Sequence, residues 1–494
     1  MARRGPGRGE ILLHAMFRLL QVVKIHQANN KLFSDNVKTF REVLQETWNE
    51  VPQTSITLYR GRFYMNDERM VYTPSMWTTS AKMMEFFQER NLNGIRFLSA
   101  DKLDDKEIVD FMSAFNSATR HPEPAAWLEE VSARHPWVKF VRDKDQALAK
   151  DDPDEEGDPD TMGKTSSMRG APSKNISRLA RQVYSQTLTA MRNLVNRLLS
   201  GKIAGIQKSK RAVQELIDLM FEDEAVFLSL STIRDRDDQL FTHSVNVAVL
   251  VVGTGRKLGL SRGMLEHLGL SGLFHDLGKA NLAAHTARPE RLEGRDLEAV
   301  RNHSLASVYN IIRLNAGHSL KQLVLGPAGE HHMGVDRSGY PKVGNPEEPL
   351  SLFGRIIAVA DQYDALTSSR PWRPEPFSPR DALLKLMENA GKQLDPVVLK
   401  SFVSFVGPWP AGSVLILDTH EIALARHTPD TAKALPQARL LESDGYGGFR
   451  GGELVEISEI DPLTGKPKRN IISSIHPDTL SIQPVDFLLH EDFD

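Results

Sequence analysis

The sequence predicts a multidomain α+β protein, and three observations support this fold class. The 494 residues are 40% hydrophobic and 25% charged, which suits about three globular domains at the usual size of roughly 150 residues each. Strand-like alternation appears near both ends of the chain, whereas the middle carries apolar residues at helical spacing. An acidic run between residues 151 and 160 separates the first part from the rest.

These changes in pattern divide the chain into five segments. Asp, Glu, Pro and Gly cannot bury a core, so the acidic run predicts a flexible spacer. Pro-Gly turns and β-branched alternation after Gly407 predict short strands. The segments are an N-terminal α/β regulatory or sensory domain (9–148), an acidic flexible linker (149–174), a helical stalk (175–224), an all-helical domain (225–407) and a small β-rich C-terminal tail (408–494).

The first segment carries no motif that indicates chemistry. Two helical patterns open it, and Asp35 is the expected N-cap of the second. Alternation in TSITLYRGRFYMNDERMVY then predicts a strand meander. We therefore interpret 9–148 as a sensory, regulatory or dimerising module. The helices of 175–224 are expected to pack a core or to build a homodimer.

Composition excludes several classes of function. The chain has no cysteine, which rules out disulfides, zinc-thiolate clusters and cysteine nucleophiles. The net charge of -3 gives no general attraction to a nucleic acid polymer, and none is expected as a partner. Charged residues interrupt the apolar stretch near the N-terminus, so neither a signal peptide nor a membrane span is predicted. We expect a cytoplasmic protein.

A His–Asp pair in an apolar, helix-like run is the strongest chemical signal. His275 and Asp276 stand side by side in SGLFHDLGKANL, and Asp361 stands in the apolar run RIIAVADQYDAL. Burying a carboxylate costs several kcal/mol unless it is paired. A divalent metal would pair it, and imidazole with carboxylate suits zinc, iron or manganese. Both runs therefore point to metal binding.

Further histidines lie before and after this pair in the same helical segment. His243, His303 and the pair His331-His332 each lie among apolar residues, where a single histidine is more often a satisfied core residue. Adjacent positions lie about 100° apart on a helix, so the pair can reach one cluster only at a helix end or bend. Taken together, these residues predict a binuclear site inside a helical bundle, with a carboxylate bridging two metals.

This ordered set resembles the HD-GYP phosphodiesterases, a branch of the HD metal-dependent phosphohydrolase superfamily. The resemblance is carried by the HD pair in FHDLGK and by the segments HHMGVDRSGYP and DQYDALTSSR. It covers about residues 235 to 407 and extends more loosely into the tail. It implies that 225–407 is an all-α HD-GYP domain, a metal-dependent phosphohydrolase.

The resemblance also implies roles for individual residues. Asp276 would bridge the metals and act in catalysis with Lys279, which would face the scissile phosphate. The implied metal ligands are His243, His275, Asp276, His303, His331, His332 and Asp361. The implied substrate-binding residues are Lys279, Gly339, Tyr340, Pro341, Arg370 and Arg373.

The implied activity is hydrolysis of cyclic di-GMP to pGpG or GMP in bacterial second-messenger signalling. The implied cofactors are two divalent transition metal ions, iron or manganese. Such ions lower the pKa of a shared water and neutralise charge on the phosphodiester. Candidate protein partners are a diguanylate cyclase of the GGDEF type and a response regulator.

Three departures from the family pattern leave alternatives open. Some members bind a third metal through a Glu one turn before the first ligand; Gln239 stands there, so two metals are expected. Met333-Gly334 replaces the usual Glu-Arg, and Arg337 replaces a usual Gly. The alternatives are hydrolysis of another cyclic dinucleotide, such as cyclic GMP-AMP, and a catalytically weak cyclic-dinucleotide sensor or interaction protein.

Overall fold

The computed structural model divides the chain into two compact units, residues 1–162 and 163–494. Within them it describes residues 8–25, 31–59, 62–66, 68–70, 77–100, 103–121, 124–141, 172–235, 238–282, 293–345, 347–370, 373, 375–427, 435–445 and 448–489. The predicted linker lies outside the described residues as far as 171. None of the described helices is both long and apolar enough to cross a membrane.

The first unit is a five-stranded antiparallel sheet with helices. Its strands lie in the order β3-β2-β1-β4-β5, and every described pairing is antiparallel, which makes the module α+β in the strict sense. The elements are α1 (Arg8–Ile25), α2 (Lys31–Glu50), β1 (Gln53–Tyr59), β2 (Arg62–Met65), β3 (Glu68–Arg69), α3 (Trp77–Glu89), β4 (Gly94–Leu98), α4 (Asp105–Ser117), α5 (Pro124–Arg134) and β5 (Val138–Val141).

The prediction that Asp35 caps the second helix is wrong, because α2 begins at Lys31 and Asp35 lies inside it. The apolar face explains the earlier start. Phe33, Val37, Phe40 and Leu44 recur at helical spacing and are all buried in the core of this unit. Packing of Phe33 therefore extends the helix beyond the position that a capping side chain would choose.

The second unit begins with a long helical region and ends with a sheet. Its helices are α6 (Pro172–Leu199), α7 (Gln207–Glu222), α8 (Glu224–Ser229), α9 (Gln239–Lys257), α10 (Arg262–Phe274), α11 (Gly294–Arg301), α12 (His303–Arg313), α13 (His318–Glu330), α14 (Leu352–Leu366), α15 (Pro379–Met387), α16 (Pro396–Val406) and the short α17 (Pro484–Leu488). Its strands are β6 (Val414–Leu417), β7 (Ile422–His427), β8 (Gln437–Ser443), β9 (Phe449–Glu456) and β10 (Ile471–Ile475).

Helix α9 forms the centre of the helical region. Its residues from Thr242 to Gly255 are all buried, and it packs against α10, α14 and α16. A helix that is apolar on every side can only be stable inside a core. Ser261 caps α10 by accepting from the amide of Met264, and Ser351 caps α14 by accepting from the amide of Gly354.

The helices before and the sheet after this region share its core. One buried apolar cluster includes Val183 of α6, Leu216 of α7, Val249 of α9 and Leu424 of β7. The sheet is antiparallel throughout, in the order β10-β6-β7-β8-β9, and its other face packs a smaller apolar cluster. The predicted stalk, 175–224, thus packs onto the helical region, and the five segment boundaries stay predictions.

Candidate metal centre

Most of the side chains that the sequence predicts as metal ligands lie at the ends of helices. His275 stands directly after α10, and Asp276 follows it at the start of a 3₁₀ turn, Leu277–Leu282. His303 is the first residue of α12, and His331-His332 follow the last residue of α13. Since a helix end lets neighbouring residues point the same way, both adjacent pairs can face one centre.

Two side chains come from helix interiors. His243 lies in the second turn of α9, and Asp361 lies in the middle of α14. These two helices pack against each other, and His243 Nε2 lies 3.1 Å from Asp361 Oδ1. The structure thus brings together all seven residues for which the sequence suggested a ligand role: His243, His275, Asp276, His303, His331, His332 and Asp361.

Asp276 lies between two groups of histidines, and each of its oxygens faces one group. Oδ2 is 3.5 Å from His243 Nε2 and 3.4 Å from His275 Nε2. Oδ1 is 3.1 Å from His303 Nε2 and 3.6 Å from His331 Nε2. This is the geometry in which one carboxylate could be shared by two cations.

Two triads have donor atoms close enough to hold a metal ion. One is His243, His275 and Asp276, and the other is His303, His331 and His332. In each triad the donor atoms lie within 4.8 Å of one another. Asp361 adds a second carboxylate, with Oδ1 3.8 Å from His275 Nε2 and Oδ2 3.7 Å from His332 Nδ1.

The buried donor atoms lack protein partners, which fits a bound cation. His243 Nε2, His275 Nε2 and Asp276 Oδ1 are buried without a hydrogen-bond partner. Such atoms cost free energy unless a ligand satisfies them. In His275, His303 and His331, Nδ1 donates to the carbonyl three residues earlier, which leaves the Nε2 lone pair toward the centre. The donor set therefore suits a metal.

The electrostatic surroundings of Asp276, His331 and His332 favour the charge states that bind a cation. Burial alone would raise the pKa of Asp276, but Lys279, followed by His275 and His303, holds it well below its ordinary value. Burial lowers the pKa of His331 to about 4 and that of His332 well below its ordinary value. These two imidazoles are neutral near pH 7, as metal ligands must be.

His243 behaves differently, because three carboxylates surround it. Burial lowers its pKa, but the nearby carboxylates of Asp276, Asp361 and Asp364 outweigh burial and raise it to about 10. A cation at this histidine therefore has to displace a proton.

Asp364 contacts a candidate ligand and was not predicted from the sequence. Its Oδ2 accepts a 2.7 Å hydrogen bond from His243 Nδ1, and its Oδ1 accepts from Asn246 Nδ2 at 3.2 Å. The guanidinium of Arg234 lies 3.4 Å away. A carboxylate on the far nitrogen of a metal-binding histidine fixes its tautomer and orientation. The available signal was the spacing of Asp361 and Asp364, which puts both on one face of α14.

Glu330 is a second residue that the sequence reasoning missed. Its Oε2 accepts hydrogen bonds from the amide of Ser351 at 2.9 Å and from the Ser351 hydroxyl at 2.6 Å. Ser351 is the N-cap of α14, and Glu330 is the last residue of α13. The side chain thus joins the helix end that carries His331 to the helix that carries Asp361.

Close backbone contacts explain why glycine stands at positions 278 and 339. A Cβ on Gly278 would lie 2.1 Å from the carbonyl oxygen of His303, and a Cβ on Gly339 would lie 2.1 Å from that of His332. Gly339 also has a φ of +81°. Because neither glycine has a side chain, the turn after His275-Asp276 and the GYP loop (339–341) can lie directly against His303 and His332.

The GYP loop covers His332. The Tyr340 amide donates to the His332 carbonyl at 3.2 Å, the two rings lie 4.7 Å apart, and the Tyr340–Pro341 bond is cis. A small cavity of about 50 Å³ lies beside His332, Gly339 and Gln393. Lys279 also reaches the centre, with Nζ 2.6 Å from Asp276 Oδ2.

The two arginines expected at the substrate differ in their surroundings. Arg373 is half-buried, and its guanidinium donates to the carbonyls of Ala365, Leu366 and Ser368 at the end of α14. Arg370 pairs with Arg373 through the backbone. Burial raises the pKa of Asp364, but Arg234 and His243, with a smaller contribution from Arg370, lower it below its ordinary value. Their contact with a substrate stays a prediction.

The positions that depart from the family pattern have defined conformations. Gln239 donates to the Ser369 carbonyl at 2.7 Å. Arg337 has a φ of +63°, a region that glycine adopts at lower cost, and its guanidinium donates to the Asn345 carbonyl. The Gly334 amide donates to the Ser338 carbonyl across the base of the loop.

Comparison with known proteins identifies the helical region. Residues 229–398 match the HD domain family. A cyclic di-GMP phosphodiesterase from Pseudomonas aeruginosa is 28% identical over 232 residues, which cover 47% of this chain and 55% of that protein. A 3'3'-cGAMP-specific phosphodiesterase from Vibrio cholerae is 32% identical over 167 residues, which cover 34% of this chain and 36% of that protein. The chain thus spans about half, or less, of these relatives' length.

A solved structure gives a weaker match. An HDG"Y"P protein from Bdellovibrio bacteriovorus has a TM-score of 0.38 and 13% identity, and the match covers 71% of this chain and 93% of that chain. This score is too low to establish a shared overall fold. The domain match, the relatives and the HD and GYP residues beside one centre agree with one another. Residues 229–398 of this chain therefore match the HD domain family, and the chain aligns over part of its length with relatives named as cyclic dinucleotide phosphodiesterases.

Proposed function

We propose that this chain is a metal-dependent phosphodiesterase that hydrolyses cyclic di-GMP to pGpG or GMP. The position of Asp276 carries the proposal, because its two oxygens face two separate histidine groups. One shared carboxylate with histidines on both sides is the arrangement that a two-metal phosphodiester site needs. The named activity of the Pseudomonas relative supports the choice of substrate.

The seven ligand residues would hold two divalent ions, iron or manganese. Such ions would supply Lewis-acid activation of a water and neutralise charge on the phosphodiester. His243 and His275 would hold one ion, His303, His331 and His332 the other, and the two aspartates would complete both sets. Gln239 offers a neutral amide where a third ion would need an anionic ligand, which favours two ions.

Lys279 would bind the scissile phosphate. Its ammonium lies against Asp276 and its side chain is 20% exposed, so it would reach both the centre and incoming substrate. There it would stabilise negative charge that develops on the phosphoryl group, as preorganised cations do. Tyr340, held against His332 by Gly339 and Pro341, would pack against the substrate, and Arg370 would contact it at the far side.

Hydrolysis of 3'3'-cGAMP is the second candidate. The Vibrio relative carries that activity in its name and is 32% identical over the aligned residues. Met333-Gly334 and Arg337 alter the loop that would shape the substrate pocket. A catalytically weak sensor is the third candidate, and the complete ligand set counts against it.

The remaining parts would regulate the enzyme. Residues 9–148 would act as a regulatory or sensory domain, and a diguanylate cyclase or a response regulator would be the partner class. The helices of 175–224 would support a homodimer, and the protein would act in the cytoplasm.

The decisive experiment is product analysis with metal-loaded protein purified without oxygen. Cyclic di-GMP and 3'3'-cGAMP are supplied separately, and linear products are separated by chromatography. Release of pGpG or GMP from cyclic di-GMP, at a higher kcat/KM than release from 3'3'-cGAMP, is expected. Binding of cyclic di-GMP without release of any product would contradict the proposed phosphodiesterase activity and support the sensor. Lys279→Ala is the matched variant, which should keep its metal content and lose kcat.

A further inference from the structure

Among the seven ligand residues and Lys279, two side chains are clearly more exposed than the others. The side chains of Asp276, His275, His303 and His331 are fully buried, and those of His243 and Asp361 are 3% and 6% exposed. His332 is 20% exposed, and so is Lys279. We therefore take His332, which lies beside the Tyr340 ring, and Lys279 as the opening of the centre.

Arg301 stands at this opening and has no role in the function proposed above. It is the exposed last residue of α11, two positions before His303. Its guanidinium carbon lies 5.7 Å from the centroid of the Tyr340 ring. Tyr340 in turn lies 4.7 Å from His332. The guanidinium and an imidazole of the centre thus lie next to the same aromatic ring.

The guanidinium is available to an anion. Arg301 forms no ion pair with any carboxylate that the structure describes. A cation 5.7 Å from an aromatic ring is near the outer limit of cation–π attraction, so leaving the ring costs little. By contrast, Arg373 donates to three carbonyls, and Lys279 lies against Asp276.

We propose that Arg301 binds the second phosphodiester of a cyclic dinucleotide while the first lies at the metal centre. This inference rests on the proposed function. A cyclic dinucleotide carries two phosphodiesters on opposite sides of one ring, so the phosphate that is not cleaved must lie outside the buried centre. A guanidinium binds phosphate oxygens through two parallel hydrogen bonds. Arg301 offers that fork at the opening, beside Tyr340.

The test measures binding separately from hydrolysis. The probe is the bis-phosphorothioate analogue of cyclic di-GMP, which resists cleavage, titrated calorimetrically into metal-loaded protein. Arg301→Ala should raise the Kd about 10- to 100-fold, as loss of a hydrogen bond to a charged group does. Arg301→Lys keeps the charge without the fork and should raise the Kd less.

Arg313→Ala is the matched control. Arg313 is exposed, lies 5.7 Å from the ring of exposed Tyr309, and stands at the other end of α12 from His303. Its loss should leave the Kd unchanged. Metal content and melting temperature of each variant show whether the fold is intact.

Turnover of cyclic di-GMP by the unmodified chain is measured in parallel. If turnover occurs but Arg301→Ala binds the analogue normally, or if Arg313→Ala weakens binding equally, the inference about Arg301 is overturned and the proposed function stands. If Arg301→Ala alone loses binding but no turnover occurs, the inference holds and the proposed function fails. If the unmodified chain does not bind the analogue, both are overturned.

Discussion

At the residue scale, the burial of Asp276 governs the centre. Its carboxylate is inaccessible to solvent, and removing such an ion from water costs several kcal/mol in real proteins. Lys279 and the surrounding imidazoles offset part of this cost, yet Oδ1 has no hydrogen-bond partner. A cation on the Oδ1 side would supply the missing interaction. The same argument applies to the orphaned Nε2 atoms of His243 and His275.

Asp364→Asn tests how His243 is held. The variant keeps the shape of the side chain but removes the charge that receives the His243 Nδ1 proton. We expect metal affinity to fall about 10- to 100-fold, as for other carboxylates behind metal-binding histidines. Competition with a chelator, followed by metal analysis, measures the change.

Asp395→Asn is the control for this substitution. Asp395 pairs with Arg355 and caps α16, and it contacts none of the seven ligand residues among the contacts described. Equal loss of metal in both variants would show that the effect is general and not transmitted through His243.

The sequence could indicate much of the centre at this scale, but not all of it. A buried acid beside a histidine requires a partner, and this requirement is readable from apolar context alone. Asp364 was missed because a second acid one turn after Asp361 has no chemical signature until His243 is found opposite it. The contacts of Arg373 were equally hidden, because they depend on where the last carbonyls of α14 lie.

At the element scale, the crossing of α9 and α16 depends on a glycine. A Cβ on Gly253 would lie 2.1 Å from the Phe405 ring. Phe405 is buried in the core, where neighbouring side chains limit its movement. The two helices can therefore approach this closely only because Gly253 has no side chain.

Gly253→Ala should destabilise the protein by about 1–3 kcal/mol through overpacking. Gly263→Ala on α10 is the matched control, because a Cβ there meets open space. This substitution should leave the free energy of unfolding unchanged or raise it by about 0.5–1 kcal/mol through helix propensity. Chemical denaturation measures both, and an equal effect of the two substitutions would rule out the contact with Phe405 as the cause.

Helices were easier to predict than their ends. The apolar spacing in α9 and α14 is long and regular, so their existence follows from the sequence. The start of α2 does not follow from the sequence, since burial of Phe33 outweighs the local preference for a cap at Asp35. Tertiary packing decides such boundaries, and it is not visible in a single segment.

At the scale of the whole molecule, the sheet and the helical region of the second unit share one core. Leu424, Leu441, Ile482 and Val485 belong to the same buried cluster as the residues of α9. His476 also reaches across, with Nε2 3.1 Å from the carbonyl oxygen of Thr367 at the end of α14. The sheet therefore supports the helix that carries Asp361 and Asp364.

Deletion of residues 408–494 tests this shared core. It would expose several buried side chains, each worth about 1.5–3 kcal/mol when fully buried. We expect the melting temperature of the remaining chain to fall by at least about 10 °C, measured by circular dichroism.

Deletion of residues 1–162 is the comparison. That unit has a separate apolar core, so its removal should leave the melting of the second unit nearly unchanged. A tail deletion that melts like the intact chain would contradict the shared core.

Changes in sequence pattern predicted a β-rich tail, but they could not reveal that its core is continuous with the helices. Pairings such as that of Leu424 with the helical core join residues far apart in the chain, and no local pattern records them. The composition of each segment therefore indicates its secondary structure more directly than it indicates whether the segment has a core of its own.

Metal content of the unmodified chain and of Asp276→Asn, both purified without oxygen, tests the central claim most directly. The substitution preserves shape but leaves an amide that cannot serve both histidine groups as an anionic bridge. We predict about two metal ions per chain in the unmodified protein, as a two-metal site requires, and loss of both metal and turnover in the variant. Unchanged metal content in Asp276→Asn would contradict the bridging role of this carboxylate.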